Sequence, residues 1–217
     1  MNEPFFLVDK PVGFSSFQIV RTFKKRYRKV GHAGTLDPFA SGLLIILTNQ
    51  ATKQFDRMQQ MEKEYTGEIL LGIETETYDV TSIETGSGET NNINPNILEL
   101  NRIAQEFVGE IEQIPPRYSA LKQNGKKLYQ LSRQKRMVNV VARTVLVKSL
   151  QITGVDLPIL QFRTTVGKGV YVRSLVHDFG ARMGCGATLI SLRRTRIGAY
   201  HVVDAQKVGA LLSQRQC

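Results

Sequence analysis

The chain has 217 residues, enough to bury a sizeable core, and carries a net charge of +10 with a pI of about 9.8. No apolar run reaches the ~18–20 residues of a membrane span, and the start MNEPFFLVDKP lacks the charged and apolar regions of a signal peptide. Two cysteines, Cys185 and Cys217, make no disulfide framework, and no C-x-x-C or His/Cys cluster suggests zinc, so a reduced, cytoplasmic setting is expected.

The charge is segregated. From Glu62 to Glu112 there are twelve acidic residues and two basic ones; from Gln113 to Val155 there are nine basic residues and no acid. A shorter block, Arg21 to Lys29, holds six basic residues and no acid. One-signed surfaces of this kind attract polyanions, nucleic acid above all, although basic residues also serve simply to solvate a face.

In chain order, Gly13 to Gly31 reads as a helix. Ser15 and Gln18 have capping-box spacing, Ile19, Val20, Phe23 and Tyr27 form an apolar stripe, and the other face carries Arg21, Lys24, Lys25, Arg28 and Lys29. That basic face is either solvated or set against phosphate. GLLIIL (42–47) reads as a buried strand or helix start. KEYTGEILLG (63–72) alternates as a strand with Tyr65, Gly67, Ile69 and Leu71 on one face. The polar stretch 82–96 reads as a loop. The next segment reads as a helix with Ile97, Leu100, Ile103, Ala104 and Phe107 inward. Residues 114–136 mix Pro, Gly and basic side chains with Tyr118 and Tyr129, an extended basic excursion. Two strands follow, at 143–155 and 158–167. GVYVRSLVHDFGARMG begins as strand and turns helical near Ser174, with Gly184 at its stop. The pattern predicts one α+β domain over 1–217, with a mixed, mostly antiparallel sheet flanked by helices and loops.

Several residues are candidates for chemistry. Asp37, in TLDPF, can act as nucleophile, base, metal ligand or turn former; Gly31, Gly34 and Gly42 allow close approach around it, and Pro38 stiffens the chain behind it. Tyr171 and Arg173, two apart on a strand, would share one face: either a stacking ring beside a charge clamp, or an interfacial tyrosine and a surface arginine. Tyr65 is expected to be half-buried on its strand, where a core tyrosine with a satisfied hydroxyl is the simple role. His32 follows a glycine at the expected helix end, where capping is the simple role. No serine-hydrolase, Walker, dinucleotide or zinc-protease motif is present, so no cofactor is indicated.

Taken together, LVDKPVGFSSF, GHAGTLDPFASGLLIILTNQATK, KEYTGEILLGIETETYD, IEQIPPRYSALKQNGKKLY, GKGVYVRSLVHDFG and GCGATLISLRRTRIG, in this order from Leu7 to Val203, resemble the TruB family of transfer-RNA pseudouridine synthases. The resemblance implies the pseudouridine synthase catalytic fold. It places Asp37 on the catalytic aspartate, Arg173 on the arginine that pairs with it, and Tyr65 on the tyrosine beneath the target base. Tyr171 and Leu192 fall on substrate-pocket positions, and His32 on the histidine that fills the space left by the flipped base. The basic segment of about 114–143 corresponds to an RNA-gripping thumb, with Lys122, Lys126, Lys127, Arg133, Lys135 and Arg136 as its RNA contacts. Glu76 stands where the family pattern has aspartate, while Asp79 matches. Many members continue into a C-terminal PUA-type domain, for which the chain leaves no room.

The implied activity is cofactor-free isomerisation of uridine 55 in the T-arm loop of tRNA, by a monomer with no membrane association. The other reading is a non-catalytic RNA-binding or tRNA-chaperone protein on the same fold; the intact set of Asp37, Tyr65 and Arg173 separates the two.

Overall fold

In the computed structural model, residues 5–85, 95–119, 121–123, 126–128, 134 and 140–209 are described. The strands are β1 (Phe5–Lys10), β2 (Val30–His32), β3 (Ser41–Thr48), β4 (Lys63–Leu71), β5 (Gly109–Gln113), β6 (Lys122–Gln123), β7 (Lys126–Lys127), β8 (Arg143–Asp156), β9 (Ile159–Val166), β10 (Ala187–Ile197), β11 (Tyr200–His201) and β12 (Gln206–Lys207). The helices are α1 (Ser16–Phe23), α2 (Phe55–Gln60), α3 (Ile97–Gln105) and α4 (Val172–Met183). The chain divides into two compact units. The first comprises Met1–Thr66, Thr165–Lys168 and Ser191–Cys217, the second Gly67–Thr164 and Gly169–Ile190. The chain passes from one unit to the other inside β4, β9 and β10.

The first unit is built around β3. Its run of apolar residues is buried on both faces, as a central strand requires. Leu43, Ile45 and Leu47 pack on one side with Ala33, Ala51, Met58 and Ile197. Leu44 and Ile46 pack on the other with Val8, Ile19, Val20 and Phe23. Each such side chain contributes about 1.5–3 kcal/mol on leaving water. Strand β1 pairs antiparallel with β3, from Phe5↔Leu47 to Lys10↔Gly42. Strand β10 pairs parallel with it at Arg193↔Ser41 and Arg194↔Gly42. The order is β12–β1–β3–β10, with β2 added antiparallel to β3.

Helix α1 has the expected capping box: Ser15 Oγ accepts from Gln18 N, and Gln18 Oε1 accepts from Ser15 N. It is much shorter than its apolar stripe predicts and ends at Phe23. The amides of Arg26 and Tyr27 turn back onto the Phe23 carbonyl. The backbone from Val30 onward is taken by β3, and Asn49 N donates to Lys29 O. Tyr27 still packs inward, against Phe6 and Phe23, from a turn rather than a helix. His32 accordingly lies in a strand, not at a helix end.

In the second unit the order is β4–β9–β8–β5, and β5 runs antiparallel to β8 from Gly109↔Val147 to Gln113↔Arg143. Helix α3 is capped by Asn96 and buries Leu100, Ile103 and Ala104. Ile97, expected inward, is 41% exposed although it shares the face of Leu100 and Ala104, because it is the first residue of the helix. Phe107 lies past the helix end and meets Phe179. The Asn101 amide acts as a strand edge, donating to Ile152 O and accepting from Ile152 N. Helix α4 begins at Val172 rather than near Ser174, so Tyr171 is its N-cap and Arg173 its second residue. The two do not share a strand face, because no strand precedes the helix here. Gly180 lets α4 close onto the next strand: a Cβ there would fall 2.2 Å from Ala187 N.

Candidate active site

The segment 33–40 joins β2 to β3 and carries Asp37. Its geometry follows from three buried polar side chains. Ser16 Oγ, at the start of α1, donates to Leu36 O and accepts from Leu36 N, both at 2.9 Å. Lys10 is fully buried and donates through Nζ to the carbonyls of Ala40 (2.5 Å), Phe14 (2.7 Å) and Pro11 (2.9 Å). Arg194 is equally buried. Its Nε donates to Leu43 O at 2.7 Å, and its Nη atoms donate to Gly34 O at 3.2 Å and Thr35 O at 3.3 Å.

Asp37 itself starts a turn. Ala40 N donates to Asp37 O, with Pro38 at the second position where its fixed φ suits the geometry, and Gly13 N donates to Pro38 O. The carboxylate sits half-buried on this turn. Gly42 follows at φ +107°, and a Cβ there would lie 2.3 Å from the Arg194 carbonyl oxygen, so only glycine admits the β3–β10 pairing at this point.

Around the loop the first unit gathers buried positive charge. Burial pushes the Lys10 amine down to about 8; the Asp37 carboxylate opposes this, Arg194 adds to it and Asp9 opposes it. Lys63 is also lowered to about 8, by burial first and then by repulsion from Arg194 and Lys168. Lys63 Nζ is held by the carbonyls of Gln59 and Met61.

Tyr65 is 9% exposed on β4, and its hydroxyl lies 3.5 Å from Arg194 Nη1. Leu192 is buried on β10, two residues before Arg194 and therefore on the same strand face. Arg193, between them, turns the other way to meet Asp9 through both guanidinium nitrogens. His32 is half-buried in β2, paired in register with Ile46. The first unit thus holds His32, Asp37, Tyr65 and Leu192.

The second unit holds Tyr171 and Arg173. The buried Gln113 amide pairs with the Tyr171 backbone, donating to its carbonyl at 3.1 Å and accepting from its N–H at 2.8 Å. Arg173 is 4% exposed and forms a buried ion pair with Asp79 at 3.0 Å. It also donates to the carbonyls of Thr77 and Tyr118. The other Asp79 oxygen accepts from Thr77 Oγ1 and from the amide and hydroxyl of Thr81. Glu76, the departure from the family pattern, accepts from the Tyr118 hydroxyl.

Of the expected thumb contacts, Lys122 and Lys127 are paired across the β6–β7 ladder, as are Gln123 and Lys126. Arg133, Lys135 and Arg136 lie outside the described residues.

Lys10, Lys63 and Arg194 were not singled out by sequence reasoning. A signal existed for two of them. Lys10 sits at the end of an apolar strand in LVDKP, and strand alternation puts Arg194 on the inward face that Leu192 marks.

Residues 21–172 match the TruB family pseudouridylate synthase N-terminal domain, and residues 173–214 match the tRNA pseudouridylate synthase B C-terminal domain. The chain is 42% identical over 217 residues to tRNA pseudouridine synthase B of Chloroherpeton thalassium, covering 97% of this chain and 89% of that protein. It is 40% identical to the protein of the same name from Flavobacterium johnsoniae, covering 92% and 90%. Among solved structures it is similar to the Cbf5–Nop10–Gar1 complex, with a TM-score of 0.72, 27% identity and 96% of this chain covered. A second is an H/ACA RNP bound to a substrate RNA containing 2′-deoxyuridine, with a TM-score of 0.70, 25% identity and 96% of this chain covered. The chain spans about half the length of these two structural relatives, 53% and 52%. With matches that run through nearly all of its length, the chain belongs to the TruB family of pseudouridylate synthases.

Proposed function

We propose that the protein isomerises a uridine of tRNA to pseudouridine, with uridine 55 in the T-arm loop as its target. The observation that carries this reading is the support of Asp37. Its turn is fixed by Lys10, Ser16 and Arg194, each fully or almost fully buried. A protein that only bound RNA would have no use for an acid held so firmly at the end of a core strand.

The reaction breaks the N1–C1′ bond, rotates the base and forms a C5–C1′ bond. The proton on C5 is lost and N1 gains one, so no redox step or cofactor is needed. The base must first leave its stack, which costs a few kcal/mol. Tyr65 and Tyr171 offset this by packing against the flipped base, Leu192 lines its pocket, and His32 fills the place it vacated. Asp37 must be ionised to act, and Arg173 supplies positive charge for that state. Tyr65 presents a hydroxyl for proton transfer. Lys122, Lys126, Lys127, Arg133, Lys135 and Arg136 grip RNA phosphates. The protein acts as a monomer in the cytoplasm; among the described residues no helix is long and apolar enough to cross a membrane.

The test is incubation of the purified protein with an unmodified T-arm stem-loop, read by carbodiimide-based or mass-labelled detection. One pseudouridine at the loop position is expected. RNA binding without any pseudouridine at enzyme excess would favour the chaperone reading instead.

A further inference from the structure

A second feature of the first unit lies outside the residues assigned to the chemistry. Helix α1 stops at Phe23, and the chain turns before entering β2. This turn brings Lys24, Arg28 and Lys29 to the rim of a cavity of about 460 Å³. Gly31 and Leu47 of the β2–β3 ladder form part of its floor, and Thr52 and Phe55 line it from the segment after β3. The rim is fixed from behind: Asn49 accepts from Lys29 N through its side chain and donates its own N–H to Lys29 O.

The three cations are exposed, and among the described residues none of them has a carboxylate partner. From Lys10 to Phe55 the chain has eight basic residues and a single acid, Asp37. Asp56 follows directly. Phe55 lines the cavity and is 37% exposed, so its ring is open to a stacking partner there. The Thr52 hydroxyl donates to Asn49 O, so towards the cavity it offers lone pairs and accepts.

Cations that hold an acceptor-rich group, a ring that stacks and a hydroxyl that accepts from a ribose or base donor match one nucleotide in pieces. We propose that this cavity is a second RNA subsite. It takes a splayed, single-stranded nucleotide with its phosphates on Arg28, Lys29 and Lys24 and its base against Phe55. The inference rests on the reading of the protein as an RNA-modifying enzyme. It adds a contact away from the target uridine, on the strand that leads through His32 into the Asp37 loop. The neighbouring face of α1 extends the same surface: Lys24 Nζ lies 5.5 Å over the exposed Phe17 ring.

The test compares the full chain with R28Q/K29Q, F55A and a control pair, K53Q/R57Q, which removes two exposed charges outside the cavity. Binding of an unmodified tRNA transcript is measured by anisotropy across about 50–300 mM salt, where phosphate contacts show as counterion release. R28Q/K29Q should weaken binding about tenfold and flatten the log–log salt slope by about 1.4, at ~0.7 per single-strand phosphate. F55A should weaken binding without changing the slope. The rise in KM of R28Q/K29Q should exceed any fall in kcat. An unchanged slope in R28Q/K29Q, or an equal loss in K53Q/R57Q, would overturn the subsite. Wild type that binds tRNA but makes no pseudouridine would sink the enzymatic reading and leave the subsite standing.

Discussion

Arg194 Nη1 lies 3.5 Å from the Tyr65 hydroxyl, while the same guanidinium holds the carbonyls of Gly34, Thr35 and Leu43. One side chain therefore links the strand that carries Tyr65 to the loop that carries Asp37. Replacing it by methionine leaves the buried Leu43 carbonyl short of a donor, at about 1–3 kcal/mol, and frees the part-buried carbonyls of Gly34 and Thr35, which water can reach. Arg194→Met should lose about 2–4 kcal/mol in urea unfolding, within the range for breaking a buried polar network. Arg194→Lys keeps the charge but not the fork. It should stay folded at 25 °C with single-turnover pseudouridine formation reduced at least tenfold. Wild-type rates in Arg194→Lys would mean the loop does not depend on this clamp.

Asp37 and Tyr65 separate chemistry from binding. Asp37→Asn should abolish product while tRNA affinity stays within about threefold, since one half-buried amide replaces one carboxylate of equal size. Tyr65→Phe keeps the ring and loses the hydroxyl, so kcat should fall with little change in KM. Near-normal turnover in Asp37→Asn would remove it from the reaction.

The Asp79–Arg173 pair predicts a distinct pattern. Both partners are almost wholly buried, so removing one takes from the other its buried counter-charge, at about 3–5 kcal/mol. Asp79→Ala should show that loss in chemical denaturation. The double variant Asp79→Leu/Arg173→Met should regain much of the stability and none of the activity. Recovery of turnover in the double variant would show Arg173 to be structural only.

Lys10 gives a pH signature. Its folded-state pKa, about 8, lies below the ordinary 10.5 of the unfolded chain. Between those values the unfolded state binds the proton and the native state does not, so stability from this group rises with pH through that window. The penalty of burying the ammonium is fully present below about pH 8. Lys10→Met removes the titration. Urea midpoints from about pH 7.5 to 10 should rise for wild type relative to the variant, and parallel curves would contradict the assignment.

Much of this was legible in the sequence because it is local. The capping box of Ser15 and Gln18, the strand alternation about Tyr65 and the two-sided burial of β3 follow from neighbours in the chain. The helix running to Gly31 did not materialise, because pairing of β2 with β3 is a contact between distant segments that outweighs local periodicity. The same cause hid the start of α4. Tyr171 is fixed by the Gln113 amide, 58 residues away, and YVR alone looks like a strand. Arg194 and Lys10 were missed because a charged residue on a strand reads as an exposed one until its carbonyl partners are seen.

The bonds from Arg194 to Leu43 and Gly34 span 151 and 160 positions. Loop closure of that length forms late in folding, after local pairings such as β2 with β3. During synthesis the Asp37 loop therefore waits for β10, which follows it by some 150 positions, to leave the ribosome. A chain that stops short of β10 has the acid but not the guanidinium that holds its loop.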